Sequence, residues 1–137
     1  MVELSRLFLK TILINMELNQ FVSTLWQSRT QAHVFHHQTQ GVGSFSEHKA
    51  LENYYEEIVP LVDGFVESVQ GKYGIILSYS TYPLVNWKEG GSMEYFQMLC
   101  GFVEEGRKTL PQETYIQNQI DEVVELLYET KYLLTLK

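Results

Sequence analysis

Between Leu4 and about Thr39, apolar residues return at the spacing of one helical face: Leu4, Phe8, Thr11, Leu18, Val22, Leu25 and Ala32, with His36 on the same stripe. One amphipathic helix of this length constrains the fold more than any other feature, because its stripe needs partners of comparable length to cover it. Gly41 and Gly43 break the pattern. Ser44, three residues before Glu47, then reads as a capping box that opens a second helix. That helix carries Leu51, Tyr55, Ile58, Val62, Phe65 and Val69, and Gly71 is expected to end it. Pro60, inside it, is expected to bend the rod.

Residues 71–91 are the least regular part, with Gly74, Pro83, Gly90 and Gly91, and they are too long for a hairpin turn. A third helix opens at Gly91 or Ser92 and runs through Phe96, Leu99 and Val103 to Lys108. Pro111 suits the first turn of a fourth, which continues through Ile120, Val123, Val124, Leu127 and Leu134. The expected elements are helices over 3–39, 44–70, 92–108 and 111–135 in one domain, with a crossover over 71–91. Two tight helix pairs joined by a long link make an all-α, ferritin-like four-helix bundle the expected fold. An up-down bundle with a decorated loop fits the same pattern.

The net charge of −7 and the absence of a basic run disfavour nucleic acid as a partner and suit a protein that handles cations. Cys100 is the single cysteine, so an internal disulfide and paired-cysteine metal sites are excluded; beside Met98, Leu99 and Phe102 it reads as a small buried hydrophobe. Lys10, Asn15 and Glu17 interrupt the apolar N-terminal stretch, so neither a signal peptide nor a membrane span is expected, and a cytoplasmic location is.

The chemistry-bearing residues gather at one hairpin. His33, His36 and His37 close the first helix and His48 opens the second, which brings His36 and His48 together; two facing imidazoles are half of a first-row metal site. His37 should point away from His36, about 100° round the helix, while His33 at i−3 is a candidate supporting residue. Glu52 lies one turn beyond His48, and Asp63 and Glu67 form an i,i+4 pair further along. Asp63 stands 15 positions after His48, roughly 22 Å along the rod, and on a face turned away from the apolar stripe. One ion cannot touch both in one chain. A second copy packed antiparallel across a twofold axis would bring the His36–His48 end of one chain to the Asp63–Glu67 end of the other. Nitrogen and carboxylate ligands with open positions suit Fe(II), with Zn(II) or Mn(II) as substitutes.

The spacing of His36, His48, Glu52, Asp63 and Glu67 resembles the signature of the Dps-type miniferritins of the ferritin superfamily, and the stretch SEHKALENYYEEIVPLVDGFVESV is similar to that family's second helix in texture. The resemblance covers about a quarter of the chain. It implies a ferroxidase centre shared between two subunits, oxidation of Fe(II) by peroxide or dioxygen, storage of Fe(III) in a hollow shell, and a homo-oligomer built on a twofold dimer, a dodecamer in the family. Where that family usually has Trp-Asn after the first histidine, this chain has His37-Gln38, and it has no Lys-rich tail of the kind that DNA-binding members use. The competing expectation is a ferritin-like assembly or interaction protein with a structural metal or none, using the aromatic segment of Tyr73, Tyr79, Tyr82 and Trp87 as a contact surface.

Overall fold

The computed structural model describes the backbone of residues 2–137, and the side chains of Arg6, Ile14, Asn15 and residues 17–137. Leu4, Phe8 and Thr11 of the first apolar stripe lie outside the described side chains. Four α-helices follow one another: α1 Val2–Gln38, α2 Ser44–Tyr73, α3 Gly91–Gly106 and α4 Thr114–Leu134, with a single 3-10 turn, Arg107–Thr109, after α3. No strand occurs among the described residues.

Cross-helix contacts fix the directions. Against α1, α2 runs antiparallel: the Phe21 ring meets Phe65 at 5.5 Å, Ser28 bonds Tyr54, and His36 meets His48. Antiparallel to α1 as well is α3, through Phe35–Tyr95 at 5.8 Å and Phe21–Phe102 at 6.1 Å. Gln119 of α4 reaches the Gly64 carbonyl and the Ser68 hydroxyl of α2, and Tyr73 near the end of α2 donates to Glu113 before the start of α4. Glu113 also raises the Tyr73 phenol, first through that hydrogen bond, to about 12.

The stripes read from the sequence form the core. Leu18, Val22, Leu25 and Ala32 of α1 are buried against Leu51, Ile58, Val62 and Phe65 of α2, Phe96 and Leu99 of α3, and Ile120 and Leu127 of α4. Each full burial contributes roughly 1.5–3 kcal/mol, so Leu25→Ala alone is expected to cost about 2–5 kcal/mol. Cys100 is buried as expected, and burial pushes its thiol pKa up. In α2 the core position is Tyr54, fully buried, while its neighbour Tyr55 is half-buried beside the histidines.

Helix ends depart from the sequence expectation in four places. Ser44 is the first helical residue rather than a cap; Gly43 caps α2 in the left-handed conformation (φ 82°) with no side-chain bond, and Glu47 turns its carboxylate elsewhere. Gly71 lies inside α2, which runs on to Gly74 (φ 93°), whose N–H bonds the Gln70 carbonyl. Gly106 ends α3 because the chain tightens into the 3-10 turn, and α4 starts at Thr114, leaving the buried Pro111 in the link. Pro60 is accommodated within one continuous helix on its exposed side, where water can serve the carbonyl it leaves unbonded.

Residues 74–90 form an irregular strap that follows α1 in the same direction. Polar side chains of α1 hold it in order: Asn15 accepts from Leu77 N–H, Ser23 from Ser80 N–H, Gln27 donates to the Pro83 carbonyl, Gln31 exchanges two bonds of 2.8 Å with Val85, and Gln38 accepts from Trp87 N–H. At its far end the strap is pinned by Glu47, whose carboxylate accepts from Trp87 Nε1 at 2.6 Å and from Ser92 Oγ at 2.7 Å.

Candidate metal centre

The hairpin between α1 and α2 puts His36 and His48 face to face. Their rings stack with centres 3.6 Å apart and planes 17° from parallel. His36 Nδ1 lies 2.8 Å from the His48 carbonyl, and His48 Nδ1 lies 2.8 Å from the His36 carbonyl. A carbonyl oxygen only accepts, so both Nδ1 atoms carry hydrogen and, in the neutral rings, both Nε2 atoms hold the lone pair. Neither Nε2 has a hydrogen-bond partner among the described residues, and neither is sealed from solvent. Backbone carbonyls fixing the tautomer through Nδ1 is the arrangement that orients metal-ligating histidines.

The local reason lies in the helix ends. The His36 carbonyl is one of the last four of α1, which have no intrahelical donor. His48 supplies that donor. The same two bonds therefore close the hairpin and fix both rings in one tautomer.

Around the pair, His33 meets His36 edge-on at 5.7 Å, and Tyr55 stacks flat on His33 at 4.0 Å while standing edge-on to His36 at 5.2 Å. Tyr55 thus sets an aromatic ring against both His33 and His36. The sequence places Tyr55 on the apolar stripe of α2; the signal for its second role is its position two turns beyond His48 on the same face. His37 is exposed, as its position on the wheel predicts. His33 has its pKa lowered, chiefly by burial and then by the neighbouring His37, His36 and Arg29.

Glu52 lies within electrostatic reach of both imidazoles, and its pKa is lowered mainly by a hydrogen bond from Lys49 (3.0 Å). Asp63 and Glu67 are exposed on α2, on the same continuous rod as His48 and roughly 22 Å and 28 Å along it. Among the described residues, no three His, Cys, Asp or Glu side chains gather closely enough to hold a metal ion. One chain therefore brings together the two histidines, leaves Glu52 bonded to Lys49, and keeps Asp63 and Glu67 apart from them.

Residues 36–134 match the model of DUF5856, a family of unknown function. The chain belongs to DUF5856. The matched stretch opens on His36 and takes in His48, Glu52, Asp63 and Glu67, whereas His33 and most of α1 precede it. No curated protein and no solved structure matches this DUF5856 chain.

Proposed function

We propose that this DUF5856 protein is a ferritin-like, Dps-type miniferritin that binds Fe(II), oxidises it and stores the product, at sites shared between two subunits. The observation that carries the reading is the reciprocal pair of Nδ1–H bonds between the His36 and His48 rings and each other's carbonyls, which leaves both Nε2 lone pairs with no partner. Glu52, one turn beyond His48 and bonded to Lys49, is the same chain's candidate carboxylate. Asp63 and Glu67, exposed and distant, suit the site of the neighbouring chain. The directions of the helices support the ferritin-like plan: with the strap running back along α1, α3 lies parallel to α2, as a crossover connection requires.

Iron is the substrate. Neutral imidazole nitrogens and ionised carboxylates bind Fe(II), and the hard carboxylate oxygens favour Fe(III). With peroxide as oxidant, two Fe(II) ions each give one electron, the O–O bond breaks, and two protons complete two waters. The protein's part is to hold the ion with locked histidines and to present carboxylates to the product.

The test mixes apoprotein with Fe(II) and peroxide and follows Fe(III) absorbance. The parent is expected to oxidise iron well above the protein-free rate, and His36→Ala with His48→Ala to fall to that background. Oxidation by the double variant at the parent's rate would sink the assignment.

A further inference from the structure

Residues 74–87, GIILSYSTYPLVNW, contain no acidic, basic or histidine side chain, in a chain that is 20% charged and carries −7. Such a stretch would ordinarily be buried. Here Ile76 is buried and Trp87 half-buried, but the rest lies on the surface, with Leu77 83% exposed, Val85 54% and Leu84 47%, and with Ile75, Tyr79 and Tyr82 also open.

From Pro83 to Trp87 its backbone is satisfied on one side only. The Pro83 carbonyl, both main-chain groups of Val85 and the Trp87 N–H all turn toward glutamines of α1. The intervening Leu84 and Asn86 have main-chain N–H and C=O groups that meet no protein partner among the described residues. Alternation with a period of two is the geometry of an extended strand, here with one edge occupied by side chains and the other edge free. Pro83 does not interrupt the free edge, because the N–H it lacks is on the α1 side. Charged side chains, the usual guard on an exposed edge, are missing from it.

We propose that this free edge is covered by the same segment of a second copy, the two straps pairing antiparallel about a twofold axis near Val85. Charge selects the partner. Two chains of −7 repel over most of their surfaces, and an isologous contact through the strap sets an uncharged segment against an uncharged segment. A charged partner would find no counter-charge along it. Six large apolar side chains of the strap, Ile75, Leu77, Tyr79, Tyr82, Leu84 and Val85, lie open to such a contact. Beside the strap a hollow of about 480 Å³, lined by Trp26, Thr30, Tyr79, Tyr82 and Leu84, has room for a side chain from the facing copy. None of these residues belongs to the candidate metal centre, so the pairing does not rest on iron.

Light scattering or sedimentation of the full chain in EDTA, over a micromolar dilution series, tests it. The parent is expected to show at least twice the 16.0 kDa of one chain. Leu84→Lys, which puts a charge on the strap, and Asn86→Pro, which removes an outward N–H, should each return the mass to one chain while the far-UV helical signal stays unchanged. His36→Ala with His48→Ala should keep the parent's mass in EDTA, whatever becomes of iron oxidation. A parent that runs as one chain throughout, strap variants that keep the parent's mass, or a histidine variant that alone becomes monomeric would each overturn the pairing.

Discussion

The Tyr55 ring lies parallel to that of His33, 4.0 Å away and 14° from coplanar stacking, so that His33 is held between an aromatic face and two further imidazoles. Burial and the nearby His37, His36 and Arg29 lower its pKa below the ordinary 6.5. Between the folded and the ordinary pKa the unfolded chain binds more protons than the folded one, so stability rises with pH there. His33 therefore contributes its stability in full above pH 6.5 and loses it as pH falls through its folded value. His33→Gln is expected to flatten that part of the Tm-against-pH curve, and an unchanged slope between pH 6.5 and the acid limb would refute it.

Tyr54 and Ser28 make a buried polar pair across α1 and α2, 2.7 Å apart, with Ser28 Oγ donating onward to the Leu25 carbonyl at 2.6 Å. Ser28 must then accept from Tyr54, whose pKa is raised by burial. Removing either partner strands the other: Ser28→Ala is expected to cost about 1–3 kcal/mol because the phenol donor is left unpaired in the interior. Tyr54→Phe should cost less, and the double variant less than the sum. Urea midpoints on the three variants decide it; simple additivity would count against the pair.

Gln31 is fully buried yet spends both ends of its amide on Val85 of the strap. Gln31→Leu removes both bonds, but the freed Val85 groups can turn to water. Global stability should drop by only about 1–2 kcal/mol, while hydrogen exchange at the Val85 amide accelerates far more than at core amides. Equal loss of protection everywhere would mean that the strap and bundle unfold as one.

Glu47 links three elements through the Trp87 indole and the Ser92 hydroxyl. Glu47→Ala is expected to cost about 1.5–3 kcal/mol, since hydrogen bonds to a charged group are broken. It should also shift Trp87 emission to the red as the indole is wetted. An unshifted spectrum with full stability would show that the pin is dispensable.

Apolar periodicity made the four helices and the His36–His48 meeting legible, because a 3.6-residue repeat and a four-residue break are local properties. Ser44 and Glu47 show where local reasoning stops. Their spacing fits a capping box, but Glu47 has a better use some forty residues away at Trp87, and Gly43 closes the helix without it. The ladder of Asn15, Asn19, Ser23, Gln27 and Gln31, each four residues from the last, reads as a solvated face until the strap is laid on it. Tyr55 looked like another core aromatic because a helical wheel resolves sides, not neighbours. The reciprocal His36–His48 bonds likewise depend on carbonyl placement that spacing does not encode.

The α1 ladder addresses residues 83–87 almost wholly through their peptide groups, and only Gln38 to the Asn86 side chain departs from this. Recognition of that kind is blind to which side chains the strap carries. The segment can therefore be rewritten, residue by residue on its outward positions, without loosening its seat on the bundle. What limits the outward side chains is then the partner they meet, while the helices beneath hold the strap whatever it carries.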